Sequence, residues 1–345
     1  MIKKIKKMKI SGRVLNVGDG DAIIIKAEKN QESLLIIIDG GNTCDQKKVL
    51  NEIDQYCVDL KKDAPDLIVC THYDSDHIAG VISLIEKYQN KIKMIWIHQP
   101  RGVLEDAFRI APMVLENITR NKVLTDINVF RIKNSYSTSN NRAEFLFIIE
   151  SIRQLSNVVE LIKKYKIPTA EPFAGCKYTG WEEIKVIGPT LKYYNSIFNS
   201  ITNITEIFDN EFDNRILESN KIKLKIIGNP CDLLKTNSVI SKTNKASVII
   251  KFKCENGNYL FTGDAGIESF KNTMGYPDSI RNMKFLKIPH HGSNNNISKE
   301  LVDLINPEIA YNSGDKYEDE EVIDCLRRVT GRVVRTTKKD GDLDF

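Results

Sequence analysis

The chain has 345 residues, 41% of them hydrophobic and 28% charged, which is enough for one large domain or two ordinary ones around a sizeable core. Nineteen glycines and ten prolines are too few for a disordered chain, and a net charge of +4 permits an anionic substrate without requiring one. No apolar run approaches the ~18 residues needed to span a bilayer, and no apolar segment follows the lysine-rich start to make a signal peptide. The expectation is a cytoplasmic protein, with no membrane partner. Seven scattered cysteines (Cys44, Cys57, Cys70, Cys176, Cys231, Cys254, Cys325) form no C-x-x-C pair, which points to free thiols in a reducing compartment.

In chain order, residues 9–17 and 20–27 read as strands joined by a tight polar turn containing Asp19 and Asp21. The apolar run 34–38 reads as a buried strand ended by Asp39-Gly40-Gly41, and 45–62 has helical spacing. A strand at 67–71, a helix at 77–89 and a strand at 94–97 follow, an alternation typical of the α/β class. Residues 104–121 and 143–166 read as helices, 184–187 as a strand, and 193–220 as an exposed loop with a helix near 202–217. Strands are expected at 248–253, 259–262, 285–288 and 332–336, and helices at 297–305 and 318–330. The whole chain reads as one domain, 1–345, in which 99–230 is an insertion carrying helices and a loop.

The most informative segment is Thr71-His-Tyr-Asp-Ser-Asp-His-Ile-Ala-Gly80. It places His72, Asp74, Asp76 and His77 on the turn between a strand and a helix, where α/β folds keep their sites. Imidazole and carboxylate suit zinc and similar ions. Alternation lets His72 and Asp74 face one ion, and Asp76 and His77 another. Ligand-type residues recur at other strand ends: Asp39, Asp264 and the pair His290–His291. Taken singly, Asp39 and Asp264 also read as turn or cap residues. Four of the five histidines fall in two clusters. The fifth, His98, reads as a substrate contact, a missing ligand or a hydrogen-bonded structural residue. Gly292-Ser293 offers donors for a phosphate oxygen, or a flexible loop. Lys3, Lys4, Lys6, Lys7, Lys9, Lys338 and Lys339 read mainly as solvated charge, with contact to a nucleic-acid backbone as the alternative.

These motifs, with Leu15–Ala22, Ile38–Gly41, Asn244 with Ser247, Phe261–Asp264, Ile288–Ser293, Arg335-Thr336 and Asp340-Gly341, resemble a metallo-β-lactamase-fold hydrolase of the ComEC-like branch, here without a membrane channel. The resemblance implies a four-layer αββα sandwich with two divalent ions, zinc or manganese, at its edge. It assigns His72 and Asp74 to the first metal and Asp76 and His77 to the second. It makes Asp264 bridging, completes the second site with one of His290 and His291, and puts Asp39 behind the ligands. Asp21 would contact a ligand or support Asp39. Asp74 stands where the commonest pattern has histidine. The usual third-motif histidine has no counterpart; Asn244, Lys245 and Ser247 lie near its place. The implied activity is hydrolysis of a phosphodiester in a nucleic acid or nucleotide, with Asp74, Asp76 and Asp264 catalytic. The alternatives are hydrolysis of another ester, amide or lactone, or a partner-gated module. Solitary members of the branch resemble effectors of bacterial defence or conflict systems, with a protein partner expected on 99–230.

Overall fold

The computed structural model describes residues 7–99, 142–198, 228–314 and 316–345. Its first sheet begins as an antiparallel meander of β1 (Lys9–Val14), β2 (Ile23–Lys29) and β3 (Glu32–Ile38). It continues in parallel through β4 (Leu67–Val69), β5 (Met94–Trp96) and β6 (Thr169–Ala170). The second sheet repeats this plan. β7 (Lys177–Tyr178), β8 (Trp181–Gly188), β9 (Ile249–Cys254) and β10 (Gly257–Phe261) are antiparallel. β11 (Phe285–Lys287), β12 (Ile309–Asn312) and β13 (Val333–Thr336) then add in parallel. β14 (Leu343–Asp344) returns to pair with β1.

The central strands are apolar on both faces, so each successive side chain enters a different core. Leu34, Ile36 and Ile38 point to the layer between the sheets, where they meet Phe252, Phe261 and Phe285. Leu35 and Ile37 point outward beneath α1 (Gln46–Leu60), α2 (Ser75–Tyr88) and α3 (Arg142–Tyr165). On the far side Ile249, Leu260 and Leu286 lie beneath α5 (Ile267–Lys271), α6 (Lys299–Ile305) and α7 (Glu320–Arg327). The result is the αββα sandwich expected, with one core inside and one under each helical layer. Each fully buried Leu, Ile or Phe contributes about 1.5–3 kcal/mol, so the inner core alone outweighs any single polar device described below.

Several readings change. Residues 193–198, expected in a loop, belong to α4 (Leu191–Phe198), whose Tyr194 and Ile197 are buried. β12 is an additional central strand. Within 99–230, the described residues 142–198 are built into the layers: β6 extends the first sheet, β7 and β8 belong to the second, and α3 packs beside α2. The helices expected at 104–121 and near 202–217 lie outside the described residues, as do Lys3, Lys4 and Lys6. Cys231 and Cys325 are joined in a disulfide, their Cα atoms 4.7 Å apart across 94 residues. That corrects the expectation of free thiols throughout and removes its argument for a reducing compartment. Among the described residues no helix is long and apolar enough to cross a membrane.

Candidate metal centre

Parallel neighbours end on a common edge, and the loops leaving β3, β4, β10, β11 and β12 meet there. Two glycines allow the closest approach. Gly40 N donates to His77 O at 2.8 Å and Gly80 N to Gly41 O at 3.0 Å. A Cβ on Gly80 would stand 1.8 Å from Gly40 O. α2 is thereby pressed against the end of β3, which carries His77 to Asp39. Asp39, His290 and His291 all adopt positive φ (58°, 46° and 52°), sparsely populated for residues with a side chain. Backbone bonds hold them there: Asp39 N to Val69 O at 2.8 Å and His290 N to Gly263 O at 3.2 Å.

Four imidazoles surround the Asp264 carboxylate. Nε2 of His72, His77 and His290 lies 3.6, 3.4 and 3.6 Å from its oxygens, and that of His291 4.0 Å. Asp74 Oδ2 is 3.8 Å from His72 Nε2, and Asp76 Oδ2 is 3.6 Å from His291 Nε2. These separations are too long for hydrogen bonds and suit ligands to a shared ion. His72, His77 and Asp264 form one group of converging ligand atoms, Asp76, His77 and His291 a second, and Asp21, Asp39 and His77 a third on the far side of the His77 ring. Of the two adjacent histidines, His291 is therefore the one beside Asp76, while His290 Nε2 lies 3.5 Å from Asn244 Nδ2.

Behind each ring, Nδ1 is anchored. Asp39 accepts from Thr71 N at 2.7 Å and the Thr71 hydroxyl at 2.6 Å, and lies 2.8 Å from His77 Nδ1. Because the Thr71 hydroxyl donates to Asp39, it accepts from His72 Nδ1 at 3.0 Å. His290 Nδ1 lies 2.9 Å from Asn296 Oδ1, and His291 Nδ1 3.0 Å from Ser313 O. Such anchoring fixes the tautomer and aims the other nitrogen. Yet His72 Nε2, His77 Nε2, His291 Nε2 and Asp264 Oδ1 are buried without hydrogen-bond partners. An orphaned buried polar atom costs about 1–3 kcal/mol, and several orphans aimed at one carboxylate fit a divalent cation.

The electrostatics agree. Burial pushes the Asp264 carboxyl up, but His77, His290, His72 and His291 together hold it well below the usual carboxylate range. Burial pushes His77 down, and Asp264, Asp39 and Asp76 raise it well above an ordinary imidazole. His72 is lowered by burial and by His77. A cation bound there would compete with protons for the same imidazole nitrogens.

Other expected residues take distinct places. Ser247 Oγ accepts from Asp264 N at 3.1 Å and so orients that backbone. Asn244 is buried with Oδ1 unpartnered. Ser293 is buried, its hydroxyl accepting from Asn295 N at 3.3 Å. Asp21 pairs with Lys287, 2.9 Å away, and its Oδ1 lies 3.8 Å from His291 Nδ1, so it stands beside a ligand and makes no hydrogen bond to Asp39. His98 joins none of the groups of converging atoms found among the described residues. It lies between Phe173 and Tyr194, ring centroids 4.7 Å away in each case, with both nitrogens unpartnered. This corrects the hydrogen-bonded reading. Sequence reasoning missed Thr71, Thr243, Asn296, Lys287, Ser313 and Tyr317. Thr243 Oγ1 donates to Asp74 Oδ1 at 3.2 Å, and the Tyr317 ring packs 4.6 Å from that of His290. A lysine inside Phe-Leu-Lys-Ile, and asparagines directly after His-His-Gly-Ser, were the available signals.

Residues 15–133 match the family model of the Metallo-beta-lactamase superfamily. That match covers β2 to β5 of the first sheet and the metal loop, and the two-sheet αββα architecture of the described residues matches the metallo-β-lactamase fold. The chain has the architecture of a superfamily that is generally hydrolytic and usually binds divalent metals such as zinc, and it carries His/Asp groups able to hold such an ion. Three solved structures are similar. The metallo-beta-lactamase fold protein YhfI from Bacillus subtilis is 10% identical over 99% of this chain and 100% of that one, with a TM-score of 0.42. A Thermotoga maritima protein provisionally classed as a metallo-beta-lactamase is 14% identical over 82% and 94%, with a TM-score of 0.34. The hydrolase AbOPH of the beta lactamase superfamily is 11% identical over 76% and 75%, with a TM-score of 0.33. No curated protein matches the chain.

Proposed function

We propose that this metallo-β-lactamase-fold chain is a metal-dependent phosphodiesterase or nuclease of the ComEC-like kind. The observation that carries the reading is the convergence of orphaned imidazole nitrogens on the Asp264 carboxylate. His72, Asp74 and His290 would hold one ion, Asp76, His77 and His291 the other, and Asp264 both. Divalent ions bound there, manganese or zinc, would acidify a water and neutralise the non-bridging oxygens of a phosphoryl group. Asp74, where a nitrogen ligand is common, gives the first site more oxygen than usual and suits it to manganese as well as zinc.

The chain's own residues do the rest. Asp74 is steadied through Oδ1 by Thr243 and is placed to take the proton that the attacking water gives up. Ser247 fixes Asp264 through its backbone. Burial of Asp74 and Asp76 keeps bulk water from competing.

The test is a panel of DNA, RNA, cyclic nucleotides and a chromogenic phosphodiester, offered to purified protein with Mn²⁺ or Zn²⁺ after elemental analysis. Cleavage is expected with metal, absent with chelator, and lost in both His72→Ala and Asp264→Ala. Cleavage that survives both substitutions would overturn the mechanism.

A further inference from the structure

Lys287 lies in β11 with no solvent exposure. Its ammonium is 2.9 Å from Asp21 Oδ2 and donates to Ile288 O at 3.0 Å. Asp21 is buried too, and its other oxygen, Oδ1, accepts the Ser313 hydroxyl. Ser313 O and Oγ lie 3.0 and 3.3 Å from His291 Nδ1. A carbonyl can only accept, so Nδ1 carries a proton, which leaves Nε2 as the nitrogen aimed at Asp76 and Asp264. What holds that carbonyl is a tether at the exit of β12. Besides the Asp21 bond, Gly314 N donates to Thr337 Oγ1 at 3.1 Å and Lys316 N to Asp19 Oδ1 at 2.7 Å. The space is tight: a Cβ on Gly314 would stand 3.0 Å from His291 Nδ1. The turn Asp19–Asp21 is thereby explained as a clamp on Ser313 and Lys316.

We propose that Lys287 is a positioning residue for one metal site, acting through Asp21 and Ser313 on His291. The inference rests on the metal-site reading above. A buried ammonium keeps Asp21 ionised and purely an acceptor, so the Ser313 hydroxyl must donate to it. Ser313 is then locked in the one orientation in which both its oxygens face His291 as acceptors. Removing Lys287 would release Ser313 and loosen His291, while His72 and Asp74 would be untouched.

The experiment compares wild type, Lys287→Met, Asp21→Asn and the double variant. Calorimetric titration with Mn²⁺ resolves the binding steps, and denaturant unfolding in chelator reports stability. Lys287→Met is expected to weaken one binding step by about 10- to 100-fold, to leave the other unchanged, and to lower stability. The double variant removes the uncompensated charge, so it should regain stability without regaining the weakened step. Recovery of both would show that Lys287 only balances a buried charge and would overturn the inference. So would equal weakening of both steps, or unchanged affinities. Wild-type protein that binds no Mn²⁺ would overturn this inference and the metal-site reading together. Normal titrations with a silent phosphodiester panel would support it and count against the substrate reading alone.

Discussion

Replacing His98 with phenylalanine should flatten the acid sensitivity of the fold. The imidazole is 2% exposed, has no partner for either nitrogen among the described residues, and is pushed down to about 3 by burial. In the unfolded chain it titrates near its ordinary value of 6.5. Between those values the unfolded state binds a proton that the native state refuses, so stability is complete above pH ~6.5 and falls as the pH drops. Integrated from pH 7 to pH 5, this one site costs about 2 kcal/mol. His98→Phe abolishes that loss and also removes two orphaned polar atoms, a gain of up to about 1–3 kcal/mol at pH 7 where the larger ring fits. The assay is guanidinium unfolding in chelator at both pH values, followed through the two tryptophans, Trp96 and Trp181, both buried. Comparing variant with wild type cancels the titration of the other histidines. Equal losses of stability in the two proteins between pH 7 and pH 5 would refute the reasoning.

Gly80→Ala should be severely destabilising, by about 4 kcal/mol or more, because its Cβ would stand 1.8 Å from the Gly40 carbonyl, which is backbone and cannot rotate away. Gly18→Ala has nothing within 4 Å and only a left-handed φ of 61° to oppose it, so a loss of about 1–2 kcal/mol is expected. Matching losses on denaturant titration would show that the close approach is wrong. Alkylation of denatured protein should label five thiols without reductant (Cys44, Cys57, Cys70, Cys176 and Cys254) and seven with it. Cys231→Ser should then lower stability by about 2–5 kcal/mol, and seven labels without reductant would dispose of the disulfide.

The sequence made the strand-end residues legible because a metal loop needs a dense, rare residue set at a fixed place. His72–His77, Asp264 and His290–His291 stand out on composition alone, and the structure brings them together. The helices α1, α2 and α3 were legible from their 3.6-residue apolar spacing. β6 and β7, at two residues each, are too short to leave a pattern, and β12 is only four residues long. In β3 both faces are apolar, so alternation could not say which side chains look toward the other sheet. The Cys231–Cys325 link and the Lys287–Asp21 pair join distant parts of the chain, and spacing carries no trace of either. His98 was visible as a lone histidine, but its aromatic surroundings come from Phe173 and Tyr194, supplied by segments far along the chain.

The two sheets share the centre unequally in kind. The first brings Asp39, His72, Asp74, Asp76 and His77; the second brings Asp264, His290 and His291. Neither sheet holds a complete set of ligands, so an ion seated there would clasp one half of the molecule to the other. Parting the sheets would then mean releasing the ion, and every factor in metal affinity would become resistance to that opening. Metal supply would thus set how firmly the sandwich stays closed, and a fragment carrying either sheet alone would have no claim on the ion.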